Sequence, residues 1–266
     1  MFRGFIKEKI KVSETEINLV RGGKGPPLLL LHGYPQSHVM WHKVAEQLAM
    51  QFTVIISDLR GYGDSGKPSS DEEHFNYSKR ASARDQVEMM SKLGHAHFMV
   101  GGHDRGARVA HRMAIDYGEN VQKLCVLDIV PTYRVFLDTN KELATKYWHW
   151  FFLIQKAPLP ETLIENNVEF YLRSMFGSWG KNNEFVTEQA FVEYLRCLEN
   201  PETIHATCED YRAGASIDLT HDKADINQKI SCPLLALWGE FGAMHKMYNV
   251  GDCLISRLIN AKWKWN

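Results

Sequence analysis

Five short apolar runs, mostly bounded by glycine or proline, recur along the 266-residue chain and limit the folds open to it. They cover residues 26–33, 52–59, 97–104, 121–130 and 230–240. Continuous apolar runs of this length are typical of parallel strands that are buried on both faces. Segments with a helical period, such as residues 78–93 and 106–117, lie between the runs. The alternation predicts an α/β fold with a doubly wound, mostly parallel sheet.

The alternation is interrupted over residues 132–220, where aromatic-rich sequence with a helical pattern, such as KYWHWFFLIQK, contains no comparable apolar run. We interpret this stretch as a helical cap inserted into the sheet domain. The predicted organisation is therefore a core formed by residues 1–131 and 221–266, with residues 132–220 as the cap.

Composition excludes several classes of function. The 31 basic and 32 acidic residues nearly cancel, so no overall field attracts nucleic acid or an anionic membrane surface. The five cysteines are scattered and form no CxxC pair, which favours a reduced, cytoplasmic setting. We see neither an export signal at the N-terminus nor an apolar run long enough to span a bilayer. Neither nucleic acid nor a membrane is therefore an expected partner.

The third apolar run ends in GGHDRGAR, residues 101–108, and leads directly into a predicted helix. Gly102 and Gly106 flank Asp104 with the spacing of a nucleophile elbow, in which aspartate replaces the usual serine. A carboxylate can displace a leaving group from saturated carbon and form an ester, so Asp104 indicates opening of a carbon–halogen bond or an epoxide. The alternative is that Asp104 only caps the helix that follows.

Two other motifs indicate chemistry that their surroundings do not support. Residues 61–66 spell G-x-G-x-x-G, but Pro68 and a polar stretch follow where a phosphate-binding helix should begin. His38 and His42 lie four positions apart, yet no HExxH motif or third ligand accompanies them. We therefore predict no nucleotide, no other cofactor and no metal.

Four motifs together resemble the haloacetate and fluoroacetate dehalogenases of the α/β-hydrolase fold superfamily, and the resemblance covers nearly the whole chain. They are HGYP at 32–35, SDLRGYGDSGKP at 57–68, HDRGAR at 103–108 and LDIVPTY at 127–133. Haloalkane dehalogenases and epoxide hydrolases commonly carry tryptophan where this chain has Arg105. The resemblance therefore implies a small halogenated carboxylic acid as substrate, and it also suggests a homodimer.

The resemblance implies a role for each residue that matches the family pattern. These are Asp104 as nucleophile, Asp128 as the acid that orients a catalytic histidine, Arg105 and Arg108 as ligands of the substrate carboxylate, His149, Trp150 and Tyr211 as ligands of the halide, and the backbone N–H groups of Tyr34 and Arg105 as the oxyanion hole.

Each of these residues also has an interpretation that involves no catalysis. Without the resemblance, either arginine could pair with a carboxylate of the fold, and Asp128 could be a turn residue. The neighbouring aromatic residues Tyr147, Trp148 and Phe151 are interpreted as a helix face that packs on the core.

The base that hydrolyses the ester has no counterpart. In the family it is a histidine in the loop after the last strand, whereas all twelve histidines of this chain stand at or before His245. We interpret His245 as a loop residue. The resemblance thus predicts a chain truncated before its catalytic histidine, which forms the ester, turns over poorly and is less stable than a complete homologue. The alternatives are an epoxide hydrolase or haloalkane dehalogenase of the same fold, and a non-catalytic paralogue or fragment.

Overall fold

The computed structural model describes residues 1–179 and 185–255, which form a seven-stranded sheet covered by helices. The strands are β1 (Ile6–Lys11), β2 (Glu16–Gly22), β3 (Pro27–Leu31), β4 (Thr53–Ser57), β5 (Phe98–His103), β6 (Val121–Leu127) and β7 (Leu234–Leu237). Their spatial order is β1-β2-β4-β3-β5-β6-β7, and all pairings from β4 to β7 are parallel. The predicted α/β sheet is therefore confirmed.

The centre of the sheet forms where the apolar runs predicted it. Leu29 of β3 lies opposite Ile55 of β4 on one side and Val100 of β5 on the other. All but Val100 are fully buried, and Val100 is 1% exposed, as expected for strands covered on both faces. Since β3, β5 and β6 run parallel, their carboxyl ends meet at one edge of the sheet.

The two N-terminal strands were not predicted. β1 and β2 pair antiparallel, and β2 joins the sheet antiparallel to β4. The sequence of β1, IKEKIK, contains four charged residues and only two apolar ones, and it is mostly exposed. An edge strand of this composition has no continuous apolar run that would reveal it in the sequence.

Thirteen α-helices lie within the described residues. They are α1 (Ala45–Leu48), α2 (Lys79–Lys92), α3 (Arg105–Asp116), α4 (Thr132–Leu137), α5 (Lys141–Lys146), α6 (Trp148–Leu153), α7 (Leu159–Glu165), α8 (Val168–Trp179), α9 (Glu188–Leu198), α10 (Pro201–Ala215), α11 (Ile217–Ala224), α12 (Ala243–Met247) and α13 (Val250–Ile255). None of them has the length and apolar character needed to cross a membrane. The predicted helices over 78–93 and 106–117 correspond to α2 and α3.

The stretch between β6 and β7 is helical throughout its described part, from α4 to α11. Side-chain N-caps from Asn140, Thr187 and Asn200 begin α5, α9 and α10, because each oxygen accepts a backbone N–H that the helix itself leaves unpaired. Eleven residues of α10 are buried. This helix brings Asp210 and Tyr211 to the carboxyl edge of the sheet.

β7 is less well covered than the strands at the centre. It pairs with β6 alone among the described strands, and its side chains alternate between partly buried and exposed. Leu235 and Leu237 are 55% and 49% exposed. The edge of the sheet beside β7 is therefore apolar and open within the described part of the chain.

Candidate active site

Asp104 occupies the tight turn between β5 and α3. Its backbone has φ 46° and ψ −114°, in the left-handed half of conformational space that residues other than glycine rarely adopt. The side chain makes no hydrogen bond to the first turn of α3, so the helix-cap alternative is wrong. Instead Oδ2 accepts a hydrogen bond from the backbone N–H of Tyr34 at 3.0 Å. Strained conformations of this kind are concentrated at functional sites.

Glycines allow the chain to approach itself at this turn. A Cβ on Gly106 would lie 2.4 Å from the carbonyl oxygen of His32, and a Cβ on Gly102 would lie 2.5 Å from the carbonyl carbon of Gly106. Neither distance is compatible with a side chain, so the elbow requires both glycines. The same packing holds the end of β3 beside the Asp104 carboxylate.

The surroundings of Asp104 keep its carboxylate ionised. Burial raises the pKa of Asp104, but the charges of Arg108, His103 and Arg105 and the bond from Tyr34 outweigh it and hold the pKa below its usual value. A carboxylate nucleophile must be ionised to attack. Asp104 is thus suited to displacement at neutral pH.

Arg105 is fully buried beside Asp104 and is already paired with an acid. Its Nε donates to Oδ2 of Asp210 at 2.7 Å, and its Nη2 donates to the carbonyl oxygen of Asp210 at 2.6 Å. Its guanidinium carbon lies 4.1 Å from the centre of the Tyr211 ring. The ion pair that sequence reasoning left open is therefore present, and Nη1 makes no hydrogen bond with any described residue.

Arg108 lies one turn further along α3. Its Nη1 donates to the carbonyl oxygen of Val130, and its guanidinium carbon lies 4.7 Å from the centre of the Trp150 ring. Burial lowers the pKa of Arg108, Asp104 raises it and Arg105 lowers it, and the result is a pKa below the usual value. Its Nε is buried and has no hydrogen-bond partner within residues 1–179 and 185–255.

The predicted halide ligands form one aromatic cluster around these groups. The Tyr34 ring stacks on His149 and meets Tyr211 edge to face, with ring centres 6.2 and 5.2 Å apart. The ring centres of Trp150 and Tyr211 are 6.0 Å apart. All four side chains are at least 97% buried.

Two polar atoms of the cluster have no partner in the described structure. Nε1 of Trp150 and the hydroxyl of Tyr211 are buried without a hydrogen bond. Burial and the nearby Asp104 charge raise the pKa of Tyr211 well above its usual value, so the hydroxyl keeps its proton. Buried donors without partners are rare in native proteins and are often satisfied by a ligand or water.

His149 is neutral at physiological pH. Burial lowers the pKa of His149 to about 3, because the attraction of Asp104 is too weak to compensate and Arg105 opposes it further. A neutral imidazole donates a hydrogen bond from one nitrogen only. His149 can therefore contribute one donor to the site.

One of the two predicted oxyanion-hole donors, the Tyr34 N–H, contacts Asp104 in the described residues. The Tyr34 N–H already binds Oδ2 of Asp104. No bond joins the Arg105 N–H to the Asp104 side chain in the same residues. The Tyr34 N–H is therefore the donor that the geometry places at this carboxylate.

Asp128 follows β6 and, like Asp104, has a positive φ, 57°. Burial raises its pKa above the usual value despite the His103 charge and a hydrogen bond from the Gly239 backbone. Its Oδ1 has no hydrogen-bond partner among the residues the structure describes. All twelve histidines fall within those residues, and none is hydrogen-bonded to Asp128.

His245 lies in α12 rather than in a loop, which corrects our interpretation. It is exposed, and its Nδ1 accepts a hydrogen bond from Nε1 of Trp238 at 3.1 Å. It does not line the cavity described below. The geometry gives His245 no role at Asp104.

A cavity of about 690 Å³ lies over the carboxyl ends of β3, β5 and β6. Four of the predicted residues line it, namely Asp104, Asp128, Tyr34 and His149. The other four do not line it, namely Arg105, Arg108, Trp150 and Tyr211. Arg105, Arg108 and Tyr211 are nevertheless close enough to Asp104 to interact with its charge. The guanidinium groups of the two arginines are held away from the cavity by the carbonyl oxygens of Asp210 and Val130 and by the aromatic faces of Tyr211 and Trp150.

The cavity wall includes residues that sequence reasoning did not assign. Tyr147 and Phe151 pack against the core as we interpreted them, and Tyr147 also lines the cavity. Trp148 lines the cavity and is not part of the core, so our interpretation of this residue needs correction. His103 also lines it, and its charge acts on both Asp104 and Asp128. The sequence signal that could have identified His103 as a site residue is its position at the end of a strand, directly before the nucleophile.

The two rejected motifs have structural roles. Residues 61–66 fold around Asp58, which is fully buried and accepts hydrogen bonds from His38 and from the Asp64 N–H. Nδ1 of His42 bonds to the carbonyl oxygen of Val39. The part of the chain that the structure describes contains no cluster of side chains suited to a metal ion.

Comparison with known proteins identifies the fold family. The family model for the alpha/beta hydrolase fold matches residues 26–262. The chain belongs to the alpha/beta hydrolase family. This membership confirms the family resemblance that the four motifs indicated.

Two relatives of this alpha/beta hydrolase are named for different activities. A fluoroacetate dehalogenase from Burkholderia sp. is 45% identical over 99% of this chain and 87% of its own. A soluble epoxide hydrolase from Corynebacterium sp. (strain C12) is 37% identical over 86% of this chain and 78% of its own. The crystal structure of a Nostoc sp. PCC 7120 protein assigned to the alpha/beta hydrolases superposes with a TM-score of 0.96 at 56% identity, covering 98% of this chain and 89% of that one.

Proposed function

We propose that this alpha/beta hydrolase is a dehalogenase of small 2-halo acids such as fluoroacetate, with Asp104 as its nucleophile. The similarity to the Burkholderia fluoroacetate dehalogenase supports the reaction class. Residues 132–220 act as a cap over the site in this proposal, and the sheet with its flanking helices is the core.

The reaction consists of one displacement and one hydrolysis. An oxygen of Asp104 forms a bond to the α-carbon of the substrate, and the carbon–halogen bond breaks with its electron pair leaving on the halide. Water then attacks the ester carbonyl, which releases glycolate from a haloacetate, restores the Asp104 carboxylate and liberates one proton. The Tyr34 N–H stabilises the oxyanion of this second step, since it already binds Oδ2.

Arg105 and Arg108 hold the substrate carboxylate in this proposal. Both guanidiniums are buried next to Asp104, where low dielectric strengthens their attraction for an anion. Nε of Arg108 is buried without a hydrogen-bond partner in the described structure, and the hydrogen bonds of Arg105 to described residues use Nε and Nη2 and leave Nη1 available. A carboxylate bound to them directs its α-carbon at Asp104, which provides a near-attack geometry.

The unpartnered donors beside Asp104 carry the proposal. Nε1 of Trp150 and the Tyr211 hydroxyl are buried without hydrogen bonds in the described residues, and His149 supplies a third donor from a neutral ring. A leaving halide, fluoride most of all, needs donors that become engaged as its charge develops. The cluster offers them next to an ionised carboxylate.

The groups that hydrolyse the ester are less complete in this site than the groups that form it. We propose that Asp128 positions the base for this step, as the family resemblance implies. Since Asp128 is bonded to none of the chain's histidines, we expect the 266-residue chain to form the ester faster than it hydrolyses it. The ester on Asp104 then accumulates.

Epoxide hydrolysis is the second candidate. The Corynebacterium epoxide hydrolase is 37% identical, and the protonated hydroxyl of Tyr211 could donate to an opening epoxide as well as to a halide. The two functions differ in their need for the arginines. An acid substrate needs their charge, whereas a neutral epoxide does not.

Fluoride release from fluoroacetate and from fluoroacetamide separates these functions. We expect release from the acid at least about a hundredfold faster than from the amide, and we expect Arg108→Met to abolish that preference. Carbon–fluorine bonds do not react spontaneously with the five free cysteines, so the measurement reports the site. Equal release from acid and amide, or hydrolysis of a neutral epoxide that Arg108→Met retains, would contradict the dehalogenase proposal.

A further inference from the structure

The guanidinium of Arg105 is bound on two of its nitrogens by a residue outside the predicted site. Asp210 of α10 accepts from Nε with its carboxylate and from Nη2 with its backbone carbonyl, at 2.7 and 2.6 Å. Asp210 is only 5% exposed. Two bonds from one residue to adjacent nitrogens fix both the position and the plane of the guanidinium.

Asp210 is itself held by two groups from other elements. The hydroxyl of Tyr62 donates to Oδ2 at 2.7 Å, and Nζ of Lys79 forms an ion pair with Oδ1. Lys79 is buried and also lies 3.5 Å from a carboxylate oxygen of Asp218. Burial raises the pKa of Asp210, but Arg105 and Lys79 outweigh it and hold the pKa well below its usual value.

α10 shapes the space around Arg105 on its remaining sides. The Tyr211 ring lies 4.1 Å from the guanidinium carbon. A Cβ at Gly214, one turn further along the helix, would lie 3.2 Å from Nη2. The helix thus restricts the guanidinium on several sides, and Nη1 has no hydrogen-bond partner among the described residues.

We propose that Asp210 is a positioning residue for the carboxylate clamp: it presents Nη1 of Arg105 to the substrate, and together with Lys79 it sets the positive charge that the clamp offers to an acid. This inference rests on the proposed function, since it concerns how the same site selects its substrate. Asp210 touches Arg105 and not the reacting atoms.

Opposite effects of the two charges on anion binding follow from this arrangement. The Asp210 carboxylate lowers the positive potential around Arg105, whereas the Lys79 ammonium restores part of it. Removing the Asp210 charge should strengthen binding of a carboxylate and at the same time free Arg105 to turn, which slows displacement. Removing the Lys79 charge should weaken binding. A purely structural role predicts no such difference in sign.

Titration of the full chain with acetate, followed through the acetate methyl resonance, measures binding without any displacement step. We expect Asp210→Asn to bind acetate about tenfold more tightly than the wild type and Lys79→Met about tenfold more weakly. In a parallel measurement, the rate of fluoride release from fluoroacetate in the first turnover should fall at least about tenfold in Asp210→Asn despite the tighter binding.

Glu209→Gln is the matched control. Glu209 neighbours Asp210 on α10, is equally buried and pairs with Arg212 and His74 instead of the clamp. It should stay within about twofold of the wild type in both measurements, whatever its effect on stability. A change in Asp210→Asn that Glu209→Gln reproduces would overturn the proposal.

The other possible results of the acetate and fluoride measurements also test the proposal. Acetate affinity that falls in both Asp210→Asn and Lys79→Met, or changes in neither, contradicts the charge-setting role. A wild type that binds no acetate contradicts the clamp altogether. A wild type that binds acetate with the predicted variant pattern, yet releases no fluoride, supports the clamp and rejects the dehalogenase function, so the two failures are distinguishable.

Discussion

Two strand-end aspartates, Asp104 after β5 and Asp128 after β6, share a cavity and a positive φ but lie in opposite electrostatic surroundings. The pKa of Asp104 lies below its usual value, since two arginines, His103 and the Tyr34 N–H overcome the effect of burial. The pKa of Asp128 lies above its usual value, since burial there is not compensated. The Asp104 carboxylate is therefore ready to react, whereas Asp128 has an Oδ1 without a hydrogen-bond partner in the described structure.

The difference divides the site by reaction step. The half around Asp104 holds a charged nucleophile, buried cations and unpartnered donors, which are the groups that ester formation needs. The half around Asp128 lies next to β7, in which Leu235 and Leu237 are exposed, and offers no histidine bonded to the acid in the described residues. Ester formation is therefore the step for which the described residues are best organised.

Replacing the nucleophile should have the largest effect on the rate of ester formation. A smaller effect than that of replacing Asp128 would contradict the contrast between the two aspartates. Asp104→Asn keeps the shape of the side chain and tolerates the positive φ, but it removes the attacking charge. We expect the first-turnover rate of fluoride release to fall by about a thousandfold or more. If Asp128→Asn gave the larger loss of this first step, the assignment of the two aspartates would be reversed.

Removing one halide donor should have the next largest effect. Trp150→Phe keeps the ring beside Arg108 but deletes the unpartnered Nε1–H. We expect the first turnover of fluoroacetate to slow by about a hundredfold, and that of bromoacetate by much less, because bromide needs weaker hydrogen bonding. Rate measurements with both acids test this prediction. Because bromoacetate also alkylates cysteines directly, the bromide released by Asp104→Asn is subtracted as the background. An equal loss for both halogens would place Trp150 outside the halide pocket.

Stability should show the smallest effect, and the two aspartates should differ in its sign. Asp128 has a raised pKa, so its ionised form destabilises the folded state; the cost is absent below its usual value of 3.8 and grows as the pH rises. Asp128→Asn should therefore raise the free energy of unfolding at pH 7 by up to about 1 kcal/mol, a modest amount because the group is partly exposed.

Asp104 has a lowered pKa, so its ionised form stabilises the folded state above pH 3.8, and this contribution is lost as the pH falls through its folded pKa. Asp104→Asn should therefore lower the free energy of unfolding at pH 7. Urea unfolding of both variants at pH 7 and at pH 4 measures the contrast. If both substitutions changed the free energy of unfolding at pH 7 in the same direction, the proposed electrostatic difference between the two aspartates would be contradicted.

The sequence predicted the parts of the molecule that depend on local patterns. Strands β3 to β6 were visible as apolar runs, and the elbow around Asp104 was visible from its glycines. β1 was not, because an exposed edge strand of mostly charged residues lacks such a run. Asp210 and Lys79 were also missed, since they stand 131 positions apart and nothing in either segment indicates the other.

The sequence also could not show that the guanidinium groups of Arg105 and Arg108 are held in positions where they do not line the cavity. Those positions depend on the Asp210 and Val130 carbonyls and on the faces of Trp150 and Tyr211, which come from separate elements. The cavity-lining positions of Tyr147 and Trp148 were missed because a helical stripe of aromatic residues looks the same in the sequence whether it covers a core or lines a cavity. Only the tertiary arrangement distinguishes these cases.

The mass of the chain after exposure to fluoroacetate tests the central claim most directly. With the reaction quenched over a time course and the chain digested for mapping, we expect one carboxymethyl group to accumulate on Asp104 as fluoride is released. The same experiment in water enriched in heavy oxygen shows whether hydrolysis follows, since the restored carboxylate would then carry the label. Fluoride release with neither a carboxymethyl group nor labelled oxygen on Asp104 would contradict the account.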